Sequence, residues 1–305
     1  MRLAIAVLCF FVVSGFSYLG AQEFPTYTTN QNAELQRDEE IHAIALNGTP
    51  EELKQVLKSG YDVNKIYLCN TLLNTAIKSL AHGQLATQFP DYAIENVKTL
   101  IEAGADVNNG GCNEALLPIE WSVVLPLQLV EKEDYINQNI DEKIKTGAEY
   151  CDFQGIVSKP CKDITLQEQE LIKTAVHKSF QNARDALVPY FMETLKLLVD
   201  NGADINKKDY EGQTALHRAT LNPQGETLEP LEYLIEKGAN INVQDINGNT
   251  PLFVAFASGN KNAVELLIKS GADTQLRNNA GLLYNQVVGH RTGVYSDEIK
   301  KQNRF

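Results

Sequence analysis

The sequence predicts an all-α solenoid of about six to seven helix-pair repeats with an irregular insertion. Three observations predict it: a glycine-centred string recurs five times, each copy follows a stretch with helical apolar spacing, and a hexapeptide precedes the two best copies. The strings are Gly60-Tyr61-Asp62-Val63-Asn64, Gly104-Ala105-Asp106-Val107-Asn108, Gly202-Ala203-Asp204-Ile205-Asn206, Gly238-Ala239-Asn240-Ile241-Asn242 and Gly271-Ala272-Asp273-Thr274-Gln275. Ahead of them run Leu53, Val56 and Leu57; Val97, Leu100 and Ile101; Leu195, Leu198 and Val199; Leu231, Leu234 and Ile235; and Val264, Leu267 and Ile268. Offsets of three and four put each set on one helical face. The glycine then ends the helix, where positive φ is wanted, and the Asp or Asn that follows turns the chain by bonding nearby backbone.

Upstream of the two best copies stand Thr214-Ala215-Leu216-His217-Arg218-Ala219 and Thr250-Pro251-Leu252-Phe253-Val254-Ala255, preceded by Gly212 and Gly248. These hexapeptides resemble the Thr-Pro-Leu-His-x-Ala signature of ankyrin repeats, and the spacing of thirty-three from Gly238 to Gly271 is that family's period. The resemblance covers residues 38–290. It implies helix pairs that stack because no single pair buries its own apolar stripe. It also implies that His42, His177 and His217, at the histidine position, make structural hydrogen bonds rather than catalyse.

The ninety-eight residues between Gly104 and Gly202 depart most from the pattern. Leu117-Pro118-Ile119-Glu120-Trp121-Ser122 fits the start of a third unit, with Trp121 at a position expected to be core. Thr174-Ala175-Val176-His177-Lys178-Ser179 fits the start of a fourth. Ile136, Ile140 and Ile144 lead into Gly147-Ala148-Glu149, a degenerate glycine turn. Two stretched repeats are expected, with an irregular region over 126–190; the alternative is one repeat carrying a separate insertion.

The ends read differently. Arg2, the apolar run Leu3 to Val13 and the small residues before Gln22 form a signal peptide over 1–21, followed by a flexible segment over 22–37; a tail spans 291–305. Cleavage near Ala21 leaves no second apolar run long enough to span a membrane and makes the chain periplasmic or secreted. Four cysteines then remain, Cys69, Cys112, Cys151 and Cys161, which permit two disulfides in three connectivities. Gly155 and Pro160 suit a closed loop between Cys151 and Cys161. Stacking brings the turns before consecutive pairs together, and Cys69 and Cys112 both fall in such turns; a bond there would add roughly 3–4 kcal/mol. Zinc on Cys151, Cys161 and His177 lacks the usual ligand spacing.

A formal charge of −12 disfavours nucleic acid. No nucleophile elbow, paired-histidine zinc motif or phosphate loop is present, so neither enzyme activity nor a cofactor is expected. Asp204, Asn206 and Asp209 suggest calcium ligands at first sight, but no ordered ligand loop closes with Glu, and turn capping explains them. The expectation is a monomeric protein–protein interaction module. By resemblance its turn tips and first helices would hold a protein partner, with Tyr67, Leu68, Tyr210, Glu211 and Ile246 as candidate contacts. One role the resemblance implies is an immunity or inhibitor protein that covers a toxic effector. The alternatives are a catalytic or ligand-binding inserted domain at 126–190, using Tyr150, Asp152, His177 and Tyr190, and a secreted effector directed at a host.

Overall fold

The computed structural model describes residues 29–82, 90–112, 116–146, 151–153, 157–221 and 227–287. The signal segment, the Gly147-Ala148-Glu149 turn and the 291–305 tail lie outside them. The chain divides into two units, Met1–Asp38 and Glu39–Phe305. In the first, the described residues begin helix α1 (Thr29–Asn47), so the segment expected to be flexible is helical from Thr29 onward. Ala33, Glu34, Leu35, Gln36 and Arg37 are strong helix formers, which outweighs the lack of an apolar face there.

The second unit is a stack of helix pairs. After α1 come α2 (Pro50–Lys58), α3 (Leu72–His82), α4 (Pro90–Glu102), α5 (Pro118–Thr146), the short antiparallel strands β1 (Cys151–Phe153) and β2 (Val157–Lys159), and α6 (Leu166–Asp200). Then follow α7 (Ala215–Ala219), α8 (Glu229–Glu236), α9 (Pro251–Ser258), α10 (Lys261–Lys269) and a final 3-10 turn at Tyr284–Gln286. First helices α3, α5, α7 and α9 pack in sequence, as do second helices α2, α4, α6 and α8. Local signals set the boundaries. Thr49 and Glu52 form a reciprocal capping box at α2 with Pro50 at its first position, Thr165 and Glu168 do the same at α6, and Asn260 caps α10 through the Ala263 N–H.

The five glycines are equivalent corners, with φ of 84°, 88°, 89°, 88° and 97° at Gly60, Gly104, Gly202, Gly238 and Gly271. Four of them share one paired closure of the preceding helix: Ala203 N–H donates to Leu198 O at 2.9 Å and Gly202 N–H to Val199 O at 3.1 Å, and the same bonds recur at Ala105, Ala239 and Ala272. Side chains then link corner to corner. Asn64 Nδ2 donates to Gly104 O (3.1 Å) and its Oδ1 accepts from the Asp106 N–H (2.7 Å); Asn108 repeats this with Gly202 O (3.0 Å) and the Asp204 N–H (2.8 Å). Asn206 accepts from the Asn240 N–H and Asn242 from the Asp273 N–H.

That ladder corrects the expectation of two repeats between Gly104 and Gly202. The two corners are neighbours, so one helix pair, α5 and α6, fills the interval. Its helices are 29 and 35 residues long. Thr174–Ser179 is the middle of α6 rather than the start of a pair, because Thr165 caps that helix well upstream and nothing after it breaks the run. Pro189 stands where the ordinary second helices begin with proline, as at Pro50 and Pro90, yet α6 runs through it with one backbone bond unmade. The described residues thus hold five pairs, followed by the 3-10 turn Tyr284–Gln286.

Packing separates the stack from the extension. One continuous core runs from Ile41 and Ala45 through Leu53, Leu73, Leu100, Ile119, Leu195, Leu198, Leu234 and Leu252 to Leu267. Beyond it, among the described residues, the far halves of α5 and α6 pack on each other and on the loop before α6, with Ile140 and Ile172 buried and Ile144, Ile164 and Val176 against them. Leu198→Ala should lower global stability by about 2–5 kcal/mol in urea titration. Ile172→Ala should raise amide exchange in residues 136–146 and 164–176 while leaving the global transition nearly unchanged.

Candidate partner-binding face

Three of the fingers before first helices are tight turns, each built by one carboxylate or amide. Asp209 Oδ1 accepts from the Glu211 and Gln213 N–H groups, Asp245 Oδ1 from Asn247 and Asn249, and Asn278 Oδ1 from Ala280 and Leu282. Asp204 caps its own corner through the Asn206 N–H. Asp204, Asn206 and Asp209 are therefore committed to turns, and no acidic, His or Cys cluster suited to a metal occurs among the described residues. Adjacent fingers bond backbone to backbone, Ile246 N–H to Glu211 O (3.0 Å) and Asn279 N–H to Asn247 O (2.9 Å). A Cβ on Gly212 would lie 2.9 Å from Ile246 N, so glycine is required both for its φ of 71° and for the close approach. Cys69 and Cys112 join the second and third fingers by a disulfide. Cys161 is fully buried and disulfide-bonded; the Cys151 side chain lies outside the described residues.

At three fourth hexapeptide positions, His42, Asn74 and His217, a polar side chain stitches the first helix to the next unit. His217 Nδ1 accepts from the Thr214 N–H (3.1 Å), which leaves Nε2–H to donate to Asn249 O in the next finger (3.1 Å). Burial pulls this imidazole below its ordinary pKa, consistent with a neutral ring. His42 Nδ1 shares a hydrogen bond with Thr75 Oγ1 in the following unit (2.8 Å). Both histidines thus have the structural role that the resemblance implies. Asn74 does the same work from an unrecognised hexapeptide, Thr71 to Ala76, donating to Gly110 O and Leu116 O. His177 does not share it: it is exposed on the extension, outside any repeat start.

Glu120 takes the position in the third unit. Its Oε2 accepts from the Leu117 N–H at 2.8 Å, the counterpart of the Thr214 bond to His217. Its Oε1 is buried and 3.9 Å from Arg218 Nε, whose Nη2 donates to Asp209 (2.6 Å) and Glu211 (3.0 Å). Burial pushes the Glu120 carboxyl up to about 8; the Leu117 N–H pulls it down, nearby Asp209 adds to the rise and Arg218 opposes it. A protonated carboxyl is thus the neutral-pH counterpart of imidazole at this seam. Beside it Lys78 lies 4.2 Å above the Trp121 ring and donates to Asn70, and burial lowers its pKa to about 8. Trp121 is half-buried under that ammonium on the inner face, while Ile119 and Ser122 fill the core position expected for it.

The candidate contacts divide. Leu68, Tyr210 and Ile246 project from finger tips at 64%, 52% and 62% exposure. Tyr67 is half-buried with its ring 5.1 Å from that of His42, and Glu211 is held by Arg218. In the 126–190 region Tyr150 and the Asp152 side chain lie outside the described residues. His177 and Tyr190 are thirteen positions apart on one helix, about 20 Å along its axis, and Tyr190 Oη donates to Asp91. They do not share a site. Sequence reasoning missed Asn74, Glu120, Lys78 and Arg218; for all but Lys78 the signal available was a polar residue at the histidine position or beside it.

Residues 163–278 match the family model of ankyrin repeats in three copies. With the corners and fingers in register, residues 163–278 are ankyrin repeats, which indicate a protein–protein interaction module and belong to a generally non-catalytic family. A search of curated proteins finds no match. Among the described residues no helix is long and apolar enough to cross a membrane.

The Glu120 seam gives a pH dependence of definite sign. An acid whose folded pKa is raised from 4.5 to about 8 contributes most at low pH, and its contribution is lost as pH rises through that interval. Wild-type stability should therefore fall between about pH 5 and 8, and Glu120→Gln should flatten the Glu120-linked part, of the order of 3 kcal/mol. Urea titrations at the two pH values check this.

Proposed function

We propose that the chain is an exported inhibitor that covers a protein partner, in the manner of an immunity protein against a toxic effector, using its finger tips and first-helix face. The observation that carries the reading is the row of exposed apolar side chains Leu68, Tyr210 and Ile246 on fingers that are already bonded to their neighbours. A surface held in place before binding loses little conformational entropy when it docks, and central aromatic or aliphatic anchors supply most of the affinity. Disulfide bonding at Cys69, Cys112 and Cys161 supports an oxidising compartment, hence the periplasm or the exterior. Arg218 beside the fingers is already paired with Asp209 and Glu211, so shape and apolar contact outweigh net charge there.

The test is quantitative capture of a partner from the native envelope or medium with the oxidised chain. Leu68→Ser/Tyr210→Ser/Ile246→Ser should weaken retention at least about tenfold with an unchanged melting temperature, since these tips touch no core. Equal retention by the triple variant would place the contact elsewhere. A toxic activity neutralised by wild type and not by the variant identifies the inhibitor role.

A further inference from the structure

The second finger departs from the others at one residue. Counting back from the threonine that opens each hexapeptide, Gly212 and Gly248 stand two positions before Thr214 and Thr250, with φ of 71° and 76°. The equivalent position before Thr71 is Cys69, at φ 64°, and the residue ahead of it, Leu68, is at φ 45°. These are the non-glycine residues with positive φ among the described residues. Tyr67 and Asn70 close a two-residue hairpin across them, with N–H to O bonds of 2.9 Å in both directions. Two left-handed central residues define the turn that favours Asn-Gly, and here it is made by Leu-Cys. Each left-handed L-residue without that chemistry is unfavourable, so something must hold the turn.

Asn70 Nδ2 donates to Leu68 O at 3.2 Å, an exposed bond, and the covalent tie is the one from Cys69 to Cys112. The backbone link between these two fingers, Cys112 N–H to Cys69 O, is 3.4 Å, longer than the 2.9–3.0 Å links between the later fingers. Gly111 lets the strands approach, since a Cβ there would lie 2.2 Å from Cys69 O. Cys69 is exposed and within reach of a reductant. The surrounding stack is secured independently, by Asn74 to Gly110 O and Leu116 O, by Asn64 to the Gly104 corner, and by buried Leu72, Leu73, Ala76 and Ile77. Removing the covalent link therefore frees the tip without removing the core beneath it.

We propose that the Cys69–Cys112 disulfide is a redox-sensitive latch that holds the Leu68 tip in its left-handed turn and is released by a dithiol reductant without unfolding of the stack. In the release step the dithiol gives up two electrons and two protons, its sulfurs join, and Cys69 and Cys112 become thiols. Leu68 and Cys69 then leave the left-handed region and the apolar tip withdraws from its displayed position. The consequence for partner capture rests on the reading above; the latch itself is measured on the chain alone, so the two fail separately.

The experiment equilibrates the full chain with dithiothreitol redox buffers and quantifies Cys69 and Cys112 thiols by site-specific alkylation and peptide mass spectrometry. Leu68→Asn, which accepts the left-handed turn, should make the bond harder to reduce by about fivefold or more. Ile246→Asn, at another tip, should leave it unchanged. Reduction of wild type should raise amide exchange over residues 66–71 while α8 and α10 stay protected. An unchanged equilibrium in Leu68→Asn would show that the turn persists without the bond and overturn the latch. Loss of protection throughout the stack on reduction would overturn it equally, making the bond a general staple.

Discussion

The corner-to-corner asparagine bond is the interaction on which the rest of this structure depends. A helix of eight or nine residues has too little surface to hold itself, and α8, α9 and α10 are of that length. Such helices persist because apolar faces meet in a fixed register, and the register is set where Asn64, Asn108, Asn206 and Asn242 reach the next corner. These amides pair backbone groups of one turn with a side chain of the next at the solvent-exposed edge, so their role is to fix register rather than to add large energy each. The same link tolerates a long excursion, since Asn108 finds the Gly202 corner after more than ninety residues.

The repeating parts were legible because the physics repeats. A glycine at positive φ, an Asx turn and a helical apolar stripe leave one pattern each time, and the pattern named Leu53, Leu100, Leu198, Leu234 and Leu267, the buried centres of five second helices. The excursion was not legible in the same way. Thr174 to Ser179 looks like a repeat start in isolation, and it outcompetes the weaker local signal nine residues upstream, the Thr165-x-x-Glu168 capping box that begins the helix. Polar substitutes at a core-facing position were equally hidden. Asn74 and Glu120 replace histidine with groups of different charge, and only the bonds they make show the common role.

Variation on a uniform frame is where the chain acquires its individual character. Glu120 exchanges imidazole for a buried carboxyl and ties that seam to proton concentration; Cys69 exchanges glycine for a cysteine and ties one finger to redox state. Neither change disturbs the core, because both sit on the inner edge where turns meet first helices. The exposed tips Leu68, Tyr210 and Ile246 occupy that same edge. The α5–α6 extension, with its own small core, is a separate elaboration attached to the frame through a single repeat.

The most direct test is a nuclear Overhauser measurement on the oxidised chain between the Asn108 side-chain amide and the Asp204 backbone N–H. A clear cross-peak is expected, because Asn108 Oδ1 accepts from that N–H at 2.8 Å. Its absence, with the Asn108 amide instead close to a residue between 140 and 180, would mean that another repeat separates the two corners and would contradict the stack described.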